Sequence, residues 1–156
     1  MTLSLKYKGN LINELNYKAN LSNNKAKTTS LKLNDGQVAL KRDNSLVIRM
    51  TGAISDLDDT NKPTRSLSLD VDIIFEVANT DKNDSNINED ELKNLISDYA
   101  LPSASLLYEE LVKSCSSIDS APPMMLNSLE LTGKVKLSNE KYINDVLITI
   151  KQKDAF

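Results

Sequence analysis

Few residues of this chain could make or break bonds, and none stands near a sequence partner. There is no histidine, which removes the commonest general base, the usual catalytic triads and most zinc sites. The single cysteine, Cys115, therefore lacks its usual activating partner and reads as a small apolar residue. One cysteine also forbids an intramolecular disulfide, which fits a reducing compartment. The four glycines stand at 9, 36, 52 and 133, too scattered for a phosphate-cradling loop. Asp56, Asp58 and Asp59 are spaced like the start of a calcium loop, but the glycine and closing glutamate of such a loop do not follow. They read as a solvated hairpin tip. No catalytic residue, metal or cofactor is expected, and the chain is expected to bind rather than to catalyse.

The stretch that suggests binding is "LPSASLLYEELVKSCSSIDSAPPMML", residues 101–126. A helical pattern passes through Pro102, and Pro122-Pro123 then precedes Met124, Met125 and Leu126. Prolines stiffen a backbone, whereas a methionine side chain is flexible and polarizable and adapts to varied apolar shapes. The competing reading makes this cluster a loop cap over the core.

The elements around it read as follows. "LSLKY" alternates from Leu3 to Tyr7. "LINELNYKANL" puts Leu11, Asn13, Leu15, Tyr17 and Ala19 on one side. Asn34-Asp35-Gly36 is a turn signal because these residues tolerate positive φ, and Asp43-Asn44 is a weaker one. Val38–Leu40 and Leu46–Ile54 are strands. In "SLSLDVDIIFEV", Leu67, Leu69, Val71, Ile73 and Phe75 form one face, and Asp70 and Asp72 are expected on the opposite, wet face. "SDLDDTNKPTR" and "NTDKNDSNINED" are polar loops. Asn88 with Glu91 resembles a capping box, opening a helix with the stripe Leu92, Leu95, Ile96 and Tyr99. Pro102 interrupts it, and the pattern resumes through Leu107, Leu111 and Cys115, joined by Leu106, Tyr108 and Val112. A kinked or broken helix is expected over about 88–116. "SNEKYINDVLITIKQK" fits a second helix through Tyr142, Ile143, Val146, Leu147 and Ile150, although its β-branched end would also suit a strand.

Length and composition set the frame. With 156 residues the chain is one domain by expectation: strands about 3–77, main helix about 88–116, proline loop 117–127, C-terminal element 128–156. Aromatics are only 4%, so the core must be aliphatic. A net charge of -3, without a basic face, argues against a nucleic-acid partner. The N-terminus lacks a cationic then apolar segment, and no run approaches a membrane span, so a cytoplasmic protein is expected.

The order of four antiparallel strands, a long helix, a proline-containing apolar loop and a second helix resembles the SecB-like family of export chaperones, as a divergent member. Leu101, Pro102 and Ala104, then Tyr108, Leu111 and Val112, then Pro122, Pro123 and Leu126 carry the likeness, with Phe75 and Val77 closing the fourth strand. The resemblance implies an α+β fold: a four-stranded antiparallel sheet packed on a long helix and a second C-terminal helix. It implies protomers pairing to dimers and a homotetramer. It also implies ATP-independent holding of unfolded or partly folded chains in an apolar groove, for protein transport or assembly. On that likeness Phe75, Leu101, Met124, Met125 and Leu126 are client-binding candidates, and Asp70 and Asp72 are candidates for docking a basic partner. A dedicated chaperone of one chain, such as the antitoxin of a toxin–antitoxin pair, and an oligomeric structural or assembly protein are the alternatives.

Overall fold

A computed structural model of the chain describes residues 3–19, 28–33, 37–41, 43–79, 89–117, 123–124, 131–137 and 146–152. Its order is β1 (Leu3–Ala19), β2 (Thr28–Leu33), β3 (Gln37–Leu40), β4 (Ser45–Leu57), β5 (Pro63–Asn79), α1 (Glu89–Leu95), a π-helical turn (Ile96–Ala100), α2 (Leu101–Cys115), β6 (Leu131–Leu137) and β7 (Val146–Gln152). The α+β class and the antiparallel sheet packed on a helix are as expected. The second C-terminal helix is corrected: β6 and β7 pair antiparallel, Gly133 opposite Ile150. Val146, Ile148, Thr149 and Ile150 are β-branched, and their restricted χ1 rotamers favour the pleated backbone over a helix.

The main sheet has five strands in the order β1-β5-β4-β2, with β3 also paired to β4. β2 and β3 both run antiparallel to β4, Leu33 opposite Gly52 and Gln37 opposite Arg49. β2 and β3 therefore run in the same direction, and the turn signal expected at Asn34-Asp35-Gly36 lies outside the described residues. The β3–β4 reversal falls at Asp43-Asn44, where Asn44 has φ 65° and the Ser45 N–H donates to Asp43 Oδ1 at 2.9 Å. β4 and β5 extend past their expected ends, leaving only a short tip. There Asp58 Oδ1 accepts from the Thr60 N–H at 2.8 Å, the Thr60 hydroxyl at 2.6 Å and the Lys62 N–H at 3.0 Å. Asp58 is thus a buried turn anchor. Asp56 is buried as well, paired with Arg65 and bonded by the Thr29 hydroxyl at 2.7 Å.

Alternation places Ile48, Met50 and Ile54 of β4 and Leu67, Leu69, Val71, Ile73 and Phe75 of β5 on one buried face. The helix lies over that face. Tyr108, fully buried, donates its hydroxyl to the Leu69 carbonyl at 3.1 Å and so fixes α2 across the middle of β5. Burial pushes the Tyr108 phenol well above its ordinary value, with the charge of Asp70 adding to it. The C-terminal hairpin lies against β3 through β7 and against α2 and the π turn through β6.

Two features depart from simple periodicity. The helix does not break at Pro102. The Leu101 N–H bonds Ile96 O, five residues back, so one extra residue is taken up before the proline. Pro102 has no N–H, and in a regular α-helix its ring would meet the carbonyl four residues earlier. The wider turn relieves that clash and advances the helical phase by one residue. Tyr99, expected in the buried stripe, is 53% exposed, and Ala100 takes the buried place. On β1, bulges fall between Tyr7 and Gly9 and between Ile12 and Glu14. Leu11 consequently faces the outer side, opposite Asp72, while Asn10 and Ile12 face the helix side, opposite Ile73 and Val71. Gly9 has φ 142°, a region closed to most side chains, although nothing lies within 4 Å of a Cβ built there. Glycine is needed there for backbone freedom and not for space.

Candidate functional site

An apolar groove lies where the start of β1 and the end of β5 meet α2. Leu5, Tyr7, Phe75, Ser103, Leu106 and Leu107 line a volume of about 410 Å³. β1 contributes Leu5 and Tyr7 because, before the first bulge, its odd residues face the helix. β5 contributes Phe75 from directly opposite Tyr7, and their rings meet edge to face with centroids 5.9 Å apart. Asn10 donates its amide to the Tyr7 hydroxyl at 2.8 Å and steadies the ring. On α2, Ala104, Tyr108 and Val112 occupy the buried face, which turns Leu106 outward. Phe75 is 2% exposed and forms the floor, whereas Tyr7 at 43% and Leu106 at 64% form rims that water reaches.

Such a groove can desolvate large apolar side chains, each contributing about 1.5–3 kcal/mol when fully buried. Ser103 is the polar side chain along the helix wall. Burial pushes the half-buried Cys115 thiol above its ordinary value, which disfavours the thiolate. Among the described residues no group of three or more His, Cys, Asp or Glu is placed to hold a metal, and no helix is long and apolar enough to cross a membrane.

Of the residues expected from sequence to bind apolar chains, Phe75 lies in the groove. Leu101 is 2% exposed and Met124 1%, both in the core, so neither presents a surface. The helix end holds Met124 in place: Ser116 Oγ donates to Val112 O at 2.8 Å and accepts the Met124 N–H at 2.7 Å. Met125 and Leu126 lie outside the described residues. On the outer sheet face the expectation of free carboxylates is corrected for Asp72. Arg49 grips it with two bonds, Nε to Oδ1 at 2.7 Å and Nη2 to Oδ2 at 3.0 Å. That pairing holds the Asp72 carboxyl below the usual carboxylate range. Asp70 is half-buried on the same face, between Thr51 and Glu14. Sequence reasoning missed Leu5, Tyr7, Ser103, Leu106 and Leu107. The available signal was Leu106 standing opposite the Ala104–Tyr108–Val112 line.

With this geometry established, comparison places the fold. No protein-family model and no curated protein matches the chain. Among solved structures, a SecB-like chaperone of Mycobacterium tuberculosis, in complex with a ChAD peptide from the HigA1 antitoxin, matches with a TM-score of 0.56 at 13% identity, over 79% of this chain and 86% of that one. A Streptococcus agalactiae protein of unknown function aligns at 14% identity and a TM-score of 0.39, over 81% and 99%. The chain has a SecB-like fold.

Proposed function

We propose that this chain is an ATP-independent, non-enzymatic chaperone of the cytoplasm whose groove between β1, β5 and α2 holds apolar side chains of a polypeptide that has not yet folded. The observation that carries the reading is the pairing of two exposed apolar rims, Tyr7 and Leu106, over the buried floor of Phe75. Leu106 at 64% and Tyr7 at 43% exposure line one open apolar cleft, the kind of contiguous apolar surface that marks a binding site. The SecB-like fold supports it, since the Mycobacterium tuberculosis neighbour was solved with a peptide from an antitoxin. The same neighbour favours one dedicated partner over a broad clientele for export. Partner docking on the outer face would fall to Asp70 and Glu14, because Asp72 is already engaged by Arg49.

The experiment is a titration of fluorescently labelled extended peptides by anisotropy, comparing leucine- and aromatic-rich sequences with their serine-substituted counterparts. Saturable binding of the apolar set, lost on Leu106→Asp, supports the reading. Equal binding of both sets, or binding indifferent to Leu106→Asp, removes the groove from the function. Tight binding of one sequence alone marks a dedicated chaperone, and similar binding of many marks a general one.

A further inference from the structure

The two bulges of β1 act on few residues. The first, between Tyr7 and Gly9, turns the strand over, and the second, between Ile12 and Glu14, turns it back. On either side of them the odd residues Tyr7 and Leu15 stand on the helix side, opposite Phe75 and Leu69. Only the stretch between is inverted. Simple alternation would give the helix side Gly9, Leu11 and Asn13, whereas the bulges give it Asn10 and Ile12.

Burial does not account for the exchange. Leu11 is left 56% exposed on the outer face, and Ile12 on the helix side is still 40% exposed. The second bulge has a structural use, since Asn13 bonds Asp72 on the outer face. What the first one changes is the neighbour of Tyr7. It brings the Asn10 amide within 2.8 Å of the Tyr7 hydroxyl, at the open rim of the groove. Asn10 is exposed, and among the described residues its side chain makes that one bond. Bulges often re-aim a side chain beside a working site.

A side-chain amide carries two N–H donors and a carbonyl acceptor. Asn10 gives one N–H to Tyr7 and keeps a second N–H and the carbonyl, a donor and an acceptor side by side. A peptide unit presents the matching carbonyl and N–H wherever its main chain is not already bonded in a helix or sheet. We infer that Asn10 is the main-chain contact of the groove: its amide bonds the backbone of a polypeptide segment whose apolar side chain sits over Phe75, between Tyr7 and Leu106. The inference rests on the proposed holding function and adds to it the residue that engages the main chain. The apolar walls select side chains. The amide selects unbonded main chain and is indifferent to sequence. Tyr7 is a positioning residue as well as a wall, because its hydroxyl fixes the rotation of the amide.

The test is a backbone scan of a labelled leucine- and aromatic-rich peptide, bound to the full chain and read by anisotropy. Each amide in turn is replaced by an ester, which removes one N–H and weakens one carbonyl acceptor while every side chain stays in place. With the native protein, one ester or two adjacent ones should weaken binding about three- to tenfold, the size of one net hydrogen bond, and the rest should change it by less than about twofold. With Asn10→Leu the same esters should bind like the all-amide peptide. Tyr7→Phe keeps the ring, removes the hydroxyl that orients Asn10, and should shrink the penalty too; it carries the test if Asn10→Leu fails to fold in a thermal melt. A merely structural role for Asn10 would shift binding of every peptide alike and leave the ester pattern unchanged. An ester penalty that persists in both variants, or a flat scan with the native protein, overturns the inference, while binding that still depends on Leu106 leaves the holding function standing. No binding of the apolar peptide by the native protein overturns both.

Discussion

The Tyr7 and Phe75 rings meet edge to face at 5.9 Å, across adjacent strands and at directly opposed positions. One is buried at 2% exposure and the other stands open at 43%. That difference divides the groove into a buried floor and an open rim, and under the proposed holding function it separates substitutions that should damage the fold from those that should damage binding alone.

Phe75→Ala should destabilise the protein by about 3–5 kcal/mol, the cost of a large core truncation. Leu106→Asp should change stability by no more than about 0.5 kcal/mol, because the side chain already faces water. Chemical denaturation of both variants, read by far-ultraviolet circular dichroism, checks the contrast. A large loss from Leu106→Asp would place that leucine in the core.

Ser116→Ala should cost about 1–3 kcal/mol, because the buried Met124 N–H would lose its acceptor. Met124→Asp should unfold the protein outright, since Met124 is 1% exposed. Thermal melts of the two variants measure this. A folded, stable Met124→Asp protein would return Met124 to the surface.

Deleting Asp98 should convert the π turn to regular α-helix while keeping Leu92, Leu95 and Ile96 in phase with Leu101, Ala104 and Tyr108. The regular turn restores the proline clash, so the deletion should cost about 3 kcal/mol, and adding Pro102→Ala should recover most of it. Denaturant midpoints of the deletion with and without Pro102→Ala check this. Failure of Pro102→Ala to rescue would mean that the turn is held by something other than the proline.

Asp72 gives a pH signature. Arg49 lowers its pKa in the folded state, so its contribution is present above the unfolded value of about 3.9 and is lost as pH falls through the lower folded value. Asp72→Asn should therefore be less stable than the parent at neutral pH, with the difference shrinking as acid protonates the parent carboxylate. Denaturation midpoints across the acid range test the sign. A gap that widens toward low pH would contradict the pairing.

The sheet was legible where one face is buried throughout. Leu67 to Phe75 alternate without fault, and their strand came out as read. β1 was legible in its residues but not in its facing, because each bulge adds one residue and inverts the sides that follow. Tyr99 was misplaced for the analogous reason on a helix: one extra residue in the π turn shifts the stripe, and nothing but Pro102 hints at it. The C-terminal segment carries both a helical period and β-branched residues, and pairing with β6 decided between them. The groove was only half legible. Phe75 was visible as a strand residue, but Leu106 and Tyr7 line the groove because of what α2 and the sheet edge leave uncovered.

The most direct measurement is light scattering of a chemically unfolded, aggregation-prone protein diluted into buffer with this chain or with its Leu106→Asp variant. If the groove holds unfolded chains, the native protein suppresses the scattering of that protein or of its dedicated partner, and the folded variant fails to do so. Equal suppression by both, or none by the native protein against any unfolded chain offered, would contradict a holding role for the groove.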